Sequence, residues 1–458
     1  MASAGERLRD LAYGAGALVT APLWLIGMAR SGKLRTDWRG RLGRGPAVAR
    51  PRSARPGSAR RRILVYGVSV GEIAAARTLV AELERRGHEV VVAAMTDTGI
   101  ARAEQLYGDA HAVVRWPYDF SGAVAGLLDR VRPDALVLME LEVWPNALSV
   151  CERRGVPVAV VNGRLSARSF RGYRRARPLL RSAFARLAAV GAQTPAYGDR
   201  FVAMGTPADR VRVTGSMKWD SATAGPVPTP ETRSLRDRLG LAADRPVVVA
   251  GSTAPGEDRL LLAGLRDADT GRVHGTQLVL APRKPEWFDG AAAEAAAMGF
   301  RVRRWSEAAS HPASPTDPFA TDTVFLLDTI GVLRTAYALA AEAHAAGHGG
   351  VAVVGRSFTG TLFGSDVSEP VGVGAPTVIG PHFADFEAMM EPLAAAGAVV
   401  IASEPWAAIG PLLGDPAAAA DRVAAGHRVI AEQRGAVGRS ADLVEALIAG
   451  SRGAPARR

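Results

Sequence analysis

Glu72 combines a reactive residue type with a position that suggests chemistry. It follows the apolar run 63–68 in the segment VSVGE, where Gly71 permits a tight turn and Glu72 begins a helical pattern. A carboxylate there can accept a proton from a reacting group, although its commoner role is to stabilise the helix dipole. Lys218 and Arg283 are of a type that binds anionic groups, or they are solvated surface charges. The sequence contains no GxGxxG or Walker A segment, so a nicotinamide or P-loop site lacks its usual support.

The elements that must position these residues alternate in type from Arg62 onward. Short apolar runs alternate with longer helical patterns such as 72–86 and 174–186, which predicts strand–helix–strand units and mainly parallel sheets. Two series of five strands are expected, at 63–68, 90–95, 135–139, 156–162 and 187–193, and at 246–251, 276–282, 322–327, 350–355 and 375–380. In open parallel sheets, ligands bind at the carboxyl ends of the strands.

These patterns predict an α/β protein with two Rossmann-like, doubly wound domains. The expected segments are a membrane-associated helix at 1–45, a flexible linker at 46–61, the first domain at 62–224, a Pro-dense hinge at 225–244, the second domain at 245–425, and a C-terminal helix and tail at 426–458. The tail is expected to pack back across the domains; a simple closing helix is the alternative.

Composition excludes several classes of protein. The 458 residues are 48% hydrophobic and 22% charged, which excludes collagen, coiled coil and full disorder. One cysteine, Cys151, excludes an internal disulfide framework and a thiolate metal cluster, and it fits a reducing compartment. His344 and His348 have i, i+4 spacing, but no third ligand is evident and nearby glycines disfavour a helix, so no metal site is predicted.

The net charge of +11 is concentrated at the N-terminus. Residues 1–62 contain 14 basic and 3 acidic residues, which leaves 42 of each in the rest of the chain. A basic head on a neutral body indicates a membrane surface or another local polyanion, and it argues against a DNA-binding face. The uncharged run 11–29, flanked by arginines, predicts a spanning or monotopic anchor. A buried soluble helix is the alternative, and the many charges after the run disfavour a cleaved signal peptide.

Ten segments in fixed order carry a family resemblance. They are VSVGE (68–72), MTDTG (95–99), MELEVWPN (139–146), VNGRLSARS (161–169), VTGSMKWD (213–220), GSTAPGE (251–257), APRKPEWFD (281–289), LLDTIG (326–331), SEP (368–370) and GPHFADFE (380–387). With them the chain resembles the 3-deoxy-D-manno-octulosonic acid (Kdo) transferases of lipopolysaccharide synthesis.

The resemblance implies a GT-B glycosyltransferase with the acceptor domain first and the nucleotide-sugar domain second. The donor would be CMP-Kdo, with no further cofactor and no divalent metal in the catalytic step, and the reaction would invert the anomeric centre. The acceptor would be a lipid A precursor, a phosphorylated and acylated glucosamine disaccharide. The enzyme would act on the cytoplasmic side of the inner membrane, at an anionic membrane surface, without a nucleic-acid partner.

The resemblance also implies roles for individual residues of the first domain. Glu72 would be the general base, with Ser69 and Gly71 beside it on the acceptor side. Glu140 and Glu142 would order the acceptor cleft, or alternatively cap the helix that follows. Arg164 would face either the Kdo carboxylate or an acceptor phosphate, because a guanidinium matches both.

The implied donor-binding residues lie mostly in the second domain. They are Lys218, the backbone amides of Gly251, Ser252 and Thr253 at the start of the next helix, Arg283, Gly331, Ser368 and Glu369. Lys218, Arg283 and the amides would stabilise the charge that grows on the leaving phosphate. Glu369 would accept hydrogen bonds from the two ribose hydroxyls, and Ser368 would help to frame it.

Some positions depart from the family pattern. Ser365 and Asp366 replace the His and Asn of GGHNPLEP, and Val332 replaces the Glu of GEL. These changes keep two alternatives open: a related GT-B enzyme that uses another nucleotide sugar, and a non-catalytic, membrane-associated paralogue.

Overall fold

Two compact units make up the chain. The computed structural model describes residues 4–15, 37–49, 60–222, 229–267, 275–308, 322–360 and 362–450. Unit 1 comprises Met1–Asp220 and Gly435–Arg458, and unit 2 comprises Ser221–Arg434. Each unit contains a seven-stranded sheet whose described strand pairs are all parallel. The prediction of two parallel-sheet α/β domains is confirmed.

Unit 1 is built on a central sheet covered by helices. Its strands are β1 (Arg62–Gly67), β2 (Glu89–Ala94), β3 (Ala112–Arg115), β4 (Ala135–Met139), β5 (Val158–Gly163), β6 (Ala189–Ala192) and β7 (Val211–Val213), in the order β3-β2-β1-β4-β5-β6-β7. Its helices before residue 222 are α1 (residues 4–15), α2 (Trp38–Arg41), α3 (Val70–Ala75), α4 (Arg77–Arg85), α5 (Asp97–Tyr107), α6 (Ser121–Val131), α7 (Pro145–Arg153), α8 (Ala167–Arg175), α9 (Arg177–Phe184), α10 (Pro195–Met204) and α11 (Lys218–Ser221).

Burial on both faces explains the continuous apolar runs of the central strands. Every residue of β1, β4 and β5 is buried. Alternate residues of β1 enter different cores, with Leu64 and Tyr66 on one face and Ile63 and Val65 on the other. A strand that packs against helices on both faces needs apolar side chains at every position, which is the pattern seen in the sequence.

Unit 2 repeats this architecture. Its strands are β8 (Val247–Thr253), β9 (Gln277–Pro282), β10 (Arg301–Arg304), β11 (Thr323–Leu326), β12 (Gly350–Val354), β13 (Thr377–Ile379) and β14 (Val399–Ile401), in the order β10-β11-β9-β8-β12-β13-β14. Its helices are α12 (Pro230–Leu239), α13 (Glu257–Asp267), α14 (Phe288–Ala297), α15 (Trp305–Ala308), α16 (Leu333–Ala345), α17 (Ser368–Val373), α18 (Glu387–Ala395), α19 (Pro405–Gly414) and α20 (Pro416–Gln433). Because α16 ends at Ala345, His344 and His348 do not share a helix face.

The last described helix, α21 (Ala436–Gly450), belongs to unit 1. The Asp220 carboxylate accepts hydrogen bonds from Gly435 N at 2.6 Å and Val437 N at 2.8 Å, which fixes the start of the helix. Arg86 at the end of α4 donates to Glu445 of α21 at 2.8 Å. Helix α21 therefore packs on unit 1, whereas α20 lies in unit 2. Packing of the tail across both domains stays a prediction.

The expected hinge differs from the structure. Residues 225–244 include α12, whose Leu235 and Leu239 are buried in the core of unit 2. The division between the units lies instead at Asp220/Ser221 and Arg434/Gly435. Pro230 is compatible with the helix because it occupies the first turn, where no N–H is needed.

Helix α1 is held to unit 1 by polar contacts. Glu6 is fully buried, accepts a hydrogen bond from Ser149 Oγ at 2.8 Å and pairs with Arg153. Arg9 Nε donates to Asn146 Oδ1 at 2.6 Å. Most of the uncharged run 11–29 that predicted the anchor lies among residues 16–36, outside the described part of the chain. Among the helices that are described, none has the length and apolar character needed to cross a bilayer, so the anchor remains a prediction.

Candidate functional site

Glu72 lies at the carboxyl edge of the unit 1 sheet, in the first turn of α3. Its N–H donates to Ser69 Oγ at 3.2 Å, and its carboxylate accepts hydrogen bonds from Ser69 Oγ at 2.9 Å and Val68 N at 2.7 Å. Ser69 is therefore the N-cap of α3, and the Glu72 side chain reaches back over the same turn. The sequence S-x-x-E therefore folds into a turn that holds the carboxylate in one orientation.

The turn interpretation of Gly71 is wrong. Gly71 lies inside α3, and an added Cβ would have Ser69 Oγ at 3.8 Å as its closest described neighbour. The glycine that the local packing requires is Gly67, at the end of β1, where an added Cβ would lie 3.1 Å from the Cβ of Glu72. Gly71 is exposed beside Glu72.

Glu140 follows β4 directly and has a left-handed backbone with φ 60. Its N–H donates to Val161 O at 3.0 Å, and its carbonyl accepts from Arg164 N at 3.1 Å. Burial raises the pKa of the Glu140 carboxyl, and the Glu72 charge raises it further, while Arg164 and Lys218 lower it. The structure therefore brings Glu72, Glu140, Arg164 and Lys218 into one electrostatic environment.

Glu142 joins the same group. Burial raises its pKa to about 7, with further upward shifts from the charges of Glu72 and Glu140. A hydrogen bond of 3.0 Å from Trp144 Nε1 to Glu142 Oε2 acts in the opposite direction. A carboxyl group with a pKa near neutrality exchanges its proton in the range where acid–base catalysis operates.

The helix-capping alternative for Glu140 and Glu142 is wrong, because Asp119 caps α7. The Asp119 carboxylate accepts from Asn146 N at 3.0 Å and Ala147 N at 2.8 Å. Burial raises the pKa of Asp119 to about 6, although these two hydrogen bonds lower it. Because Asp119 lies 27 residues before Asn146, the segment MELEVWPN contains no local signal for this capping role.

Arg164 and Lys218 reach the site on loops that a buried asparagine ties together. Asn162 is fully buried, its Oδ1 accepts from Met217 N at 3.1 Å, and its carbonyl accepts from Gln193 Nε2 at 3.0 Å. These bonds hold the start of α11, and thereby Lys218, beside the end of β5. Lys218 was predicted to bind the donor; the structure places it in unit 1 with Glu140, and its donor role remains a prediction.

Helices α8 and α9 form a strongly basic surface that the sequence analysis missed. Residues 153–198 contain ten arginines and no acidic residue. No residue of α8 is buried, and Leu179 at the start of α9 is 80% exposed. Within the described part of the chain, Arg171, Arg174 and Arg175 make no ion pair. The chain after residue 62 is neutral as a whole, but its basic and acidic residues are unevenly distributed. A count restricted to residues 153–198 shows this excess of positive charge.

The backbone amides of residues 251–253 were predicted to lie at the start of a helix, and that position is wrong. Gly251, Ser252 and Thr253 all belong to β8, and α13 begins four residues later, at Glu257. Thr253 is fully buried, and its hydroxyl donates to Asp258 Oδ1 at 2.6 Å. An added Cβ on Gly251 would lie 2.2 Å from the hydroxyl oxygen of Tyr337, so this glycine allows α16 to approach the sheet.

Ser252, Arg283 and Gly331 meet at a small cavity at the carboxyl edge of the unit 2 sheet. The cavity has a volume of about 50 Å³ and is also lined by Thr329 and Val332. Ser252 has a left-handed backbone with φ 56. These three predicted donor-binding residues span 79 positions of the sequence, from Ser252 to Gly331, and the fold brings them together. Their role remains a prediction.

Ser368 and Glu369 begin α17 in the same unit. Asp366 Oδ1 accepts from Ser368 N at 2.9 Å and Ser368 Oγ at 2.6 Å. The side chain of Ser368 is therefore engaged in the local turn, and Asp366, one of the departures from the family pattern, supports that turn. The charges of Glu369 and Asp366 contribute, after burial, to a raised pKa of Tyr337, which places all three close together.

Glu257 is a further residue that the sequence analysis missed. Only 1% of it is exposed, and its carboxylate accepts from Arg356 N at 2.6 Å, Ser357 N at 2.8 Å and Phe358 N at 2.9 Å. These bonds fix the loop after β12. Glu257, the last residue of the GSTAPGE segment, therefore has a structural role, because it holds the loop after β12.

Two parallel-sheet units with polar residues at their carboxyl edges place the chain in the class of GT-B folds. The Anabaena protein HepE, solved in complex with UDP, is 14% identical and has a TM-score of 0.57, with 85% of this chain and 100% of that chain covered. The UDP-GlcNAc 2-epimerase of Neisseria meningitidis bound to UDP-GlcNAc is 12% identical, with a TM-score of 0.53 and 85% and 100% covered. These likenesses show the fold.

Sequence relatives define the family within that class. The family model described as 3-Deoxy-D-manno-octulosonic-acid transferase (kdotransferase) matches residues 36–221. The 3-deoxy-D-manno-octulosonic acid transferase of Bordetella pertussis is 35% identical over 440 residues, which is 93% of this chain and 96% of the relative. That of Haemophilus influenzae is 28% identical over 389 residues, or 84% and 86%. The chain belongs to the Kdo transferase family and is a glycosyltransferase.

Proposed function

We propose that this chain transfers Kdo from CMP-Kdo to a lipid A precursor of the lipid IVA type, with inversion at the anomeric carbon. The step uses no divalent metal and no separate cofactor, and it takes place at the cytoplasmic face of the inner membrane. Membership of the Kdo transferase family supports the donor sugar. The observation that carries the mechanism is the fixed carboxylate of Glu72 at the edge of the unit 1 sheet.

Glu72 acts as the general base. Each of its oxygens already accepts one hydrogen bond, from Val68 N or Ser69 Oγ, and each retains a second lone pair. The acceptor hydroxyl gives its proton to Glu72 while its oxygen bonds to the anomeric carbon of Kdo. The bond from that carbon to the phosphate oxygen breaks, and its electron pair leaves with CMP. A single displacement of this kind inverts the anomeric centre.

The neighbours of Glu72 tune the site. The pKa of about 7 leaves Glu142 partly protonated near neutral pH, which limits repulsion of the charge on Glu72, and burial raises the pKa of Glu140 in the same direction. Arg164 and Lys218 supply positive charge beside them. We assign Arg164 and Lys218 to the phosphate or carboxylate groups of the substrates, because both side chains are hydrogen-bond donors that carry a charge.

Unit 2 supplies the donor-binding residues of this proposal. Arg283 lines the cavity with Ser252 and Gly331, and in this proposal its guanidinium stabilises the charge of the departing phosphate. Glu369 at the start of α17 takes the ribose hydroxyls. A second candidate is transfer of another CMP-linked ulosonic acid, because Ser365 and Asp366 replace the His and Asn of the family pattern close to Glu369.

The basic surface of α8 and α9 supports attachment to an anionic membrane. Exposed arginines interspersed with Leu179 allow electrostatic attraction and shallow apolar contact together. The lipid acceptor also carries phosphates, which guanidinium groups bind well. This surface adds to whatever attachment the N-terminal segment provides.

A transfer assay tests the proposal. Purified full-length protein is incubated with CMP-Kdo labelled in the sugar and a tetra-acylated lipid A precursor, with and without EDTA. We expect labelled lipid at equal rates in both, and an inverted linkage in the NMR spectrum of the product. Absence of labelled lipid from folded protein that binds CMP would refute Kdo transfer, and label from another CMP-ulosonic acid alone would establish the second candidate. Loss of activity in EDTA that Mg²⁺ restores would refute metal independence.

A further inference from the structure

Backbone strain in the described residues concentrates at the carboxyl edges of the two sheets. Five residues other than glycine have a left-handed backbone: Arg132, Glu140, Asn162, Ser252 and Arg356. Glu140, Asn162 and Ser252 lie at the ends of β4, β5 and β8, and Arg356 lies two residues beyond β12. Arg132 differs, because it caps the C-terminus of α6. Strained residues persist where the surroundings hold them and where a function retains them.

The surroundings hold the backbone of Arg356 firmly. Its N–H donates to Glu257 Oε2 at 2.6 Å, and its carbonyl accepts from Gly364 N at 2.7 Å. Its φ is 59. Glycine takes this conformation without steric cost, so the backbone alone gives no reason for a side chain here. An arginine in a position suited to glycine points to a role for the guanidinium.

Two hydrogen-bond donors at this loop have no protein partner. The half-buried Arg356 side chain makes no hydrogen bond or ion pair with any residue that the structure describes. Ser365 is 5% exposed, and its Oγ has no hydrogen-bond partner in the described chain. Gly364, which precedes Ser365, is bonded to Arg356. Buried polar atoms are nearly always paired, so the unpaired hydroxyl of buried Ser365, on a loop that also carries the half-buried Arg356 side chain, indicates a ligand.

We propose that Arg356 and Ser365 bind an anionic oxygen group of the nucleotide-sugar donor, its phosphate or its sugar carboxylate. This rests on the proposed function for the identity of the donor. The loop follows a central strand of a parallel sheet, which is where ligands of such folds bind. Adjacent β8 ends at the cavity lined by Ser252 and Arg283. A guanidinium and a hydroxyl both donate to carboxylate or phosphate oxygens.

The test compares two arginines with the same backbone conformation. Arg356→Gly and Arg132→Gly each remove a strained arginine, so each should retain or raise the thermal midpoint of the full-length protein. We expect the KM for CMP-Kdo to rise by about tenfold or more in Arg356→Gly and to stay within about twofold in Arg132→Gly. Arg356→Lys, which keeps the charge, should recover part of the loss. Ser365→Ala should raise KM by about threefold, with unchanged stability.

Calorimetric titration with CMP separates the two sources of negative charge. Weaker CMP binding in Arg356→Gly assigns the contact to the phosphate; equal CMP binding with a raised donor KM assigns it to the carboxylate. If both quantities match those of Arg132→Gly, the inference is overturned while Kdo transfer by the unaltered protein stands. If the unaltered protein transfers no Kdo but Arg356→Gly weakens CMP binding, the inference holds and the proposed function fails. With neither transfer nor a change in CMP binding, both are overturned.

Discussion

Ser69 and Glu72 bond to each other in both directions: Glu72 N donates to Ser69 Oγ at 3.2 Å, and Ser69 Oγ donates to Glu72 Oε1 at 2.9 Å. The capping role and the proposed catalytic role of Glu72 are therefore not alternatives. The bonds that start the helix are also those that orient the carboxylate.

Replacing Glu72 with glutamine should abolish most activity without unfolding the protein. Glutamine keeps one oxygen that can accept from Val68 N and an amide group that can donate to Ser69 Oγ, but it cannot take a proton at neutral pH. We expect turnover to fall by roughly 10²–10⁴-fold, with CMP affinity nearly unchanged. Steady-state rates and calorimetry measure the two quantities. Glu104→Gln, at an exposed position of α5, is the control. Undiminished turnover in Glu72→Gln would remove this residue as the base.

Replacing Ser69 with alanine should affect both stability and activity. Loss of an N-cap costs about 1 kcal/mol, and here the carboxylate of Glu72 also loses one of its two hydrogen bonds. Thr229→Ala is the matched control, because Thr229 forms the capping box of α12. Chemical denaturation should show similar losses in both variants. A turnover loss of about tenfold is expected in Ser69→Ala alone; equal turnover in the two variants would show that Ser69 does not position the base.

Glu142 should make the protein less stable as the pH rises through neutrality. Its pKa is raised from 4.5 in the unfolded chain to about 7 in the folded protein. Between these values the folded state binds more protons, so the free energy of unfolding falls as pH increases. Glu142→Gln removes this penalty while retaining an acceptor for Trp144. Its thermal midpoint should exceed that of the unaltered protein at pH 8, with a smaller difference at pH 5. A difference independent of pH would contradict the raised pKa.

Reversing charge on α8 should weaken membrane binding. We expect the triple change Arg171→Glu, Arg174→Glu and Arg175→Glu to reduce cosedimentation with vesicles containing phosphatidylglycerol by about tenfold or more at physiological salt. The control triple, Arg233→Glu, Arg259→Glu and Arg428→Glu, alters exposed positions of unit 2 by the same net charge. Equal loss in both would mean that total charge, not this surface, governs attachment.

Sequence patterns predicted the interior of the fold better than its margins. All ten expected strands are present, and the four that were missed, β3, β7, β10 and β14, are the edges of the two sheets. An edge strand has fewer neighbours to bury it, so β7 and β10 retain polar side chains and give no apolar run.

The candidate site was predicted unevenly for a similar reason. Motif order singled out Glu72, Arg283 and Gly331 as candidates, because such residues stand in recognisable strings, and their roles stay predictions. Asp119 and Glu257 were missed because each acts on a backbone segment distant in sequence, 27 and about 100 residues away. Such relations appear only when the topology brings the segments together. The arginine surface was missed because charges were summed over the whole body.

Helix α21 makes the first unit the last to be completed during translation. Until residues 436–450 have left the ribosome, unit 1 lacks helix α21, whose Leu443 and Val444 are buried in its core. Every strand of unit 2 has emerged before then. A nonsense mutation just before Gly435 would therefore destabilise unit 1, although most of unit 1 is encoded at the other end of the gene. Separate expression of unit 1 requires that this helix be supplied, covalently or as a peptide.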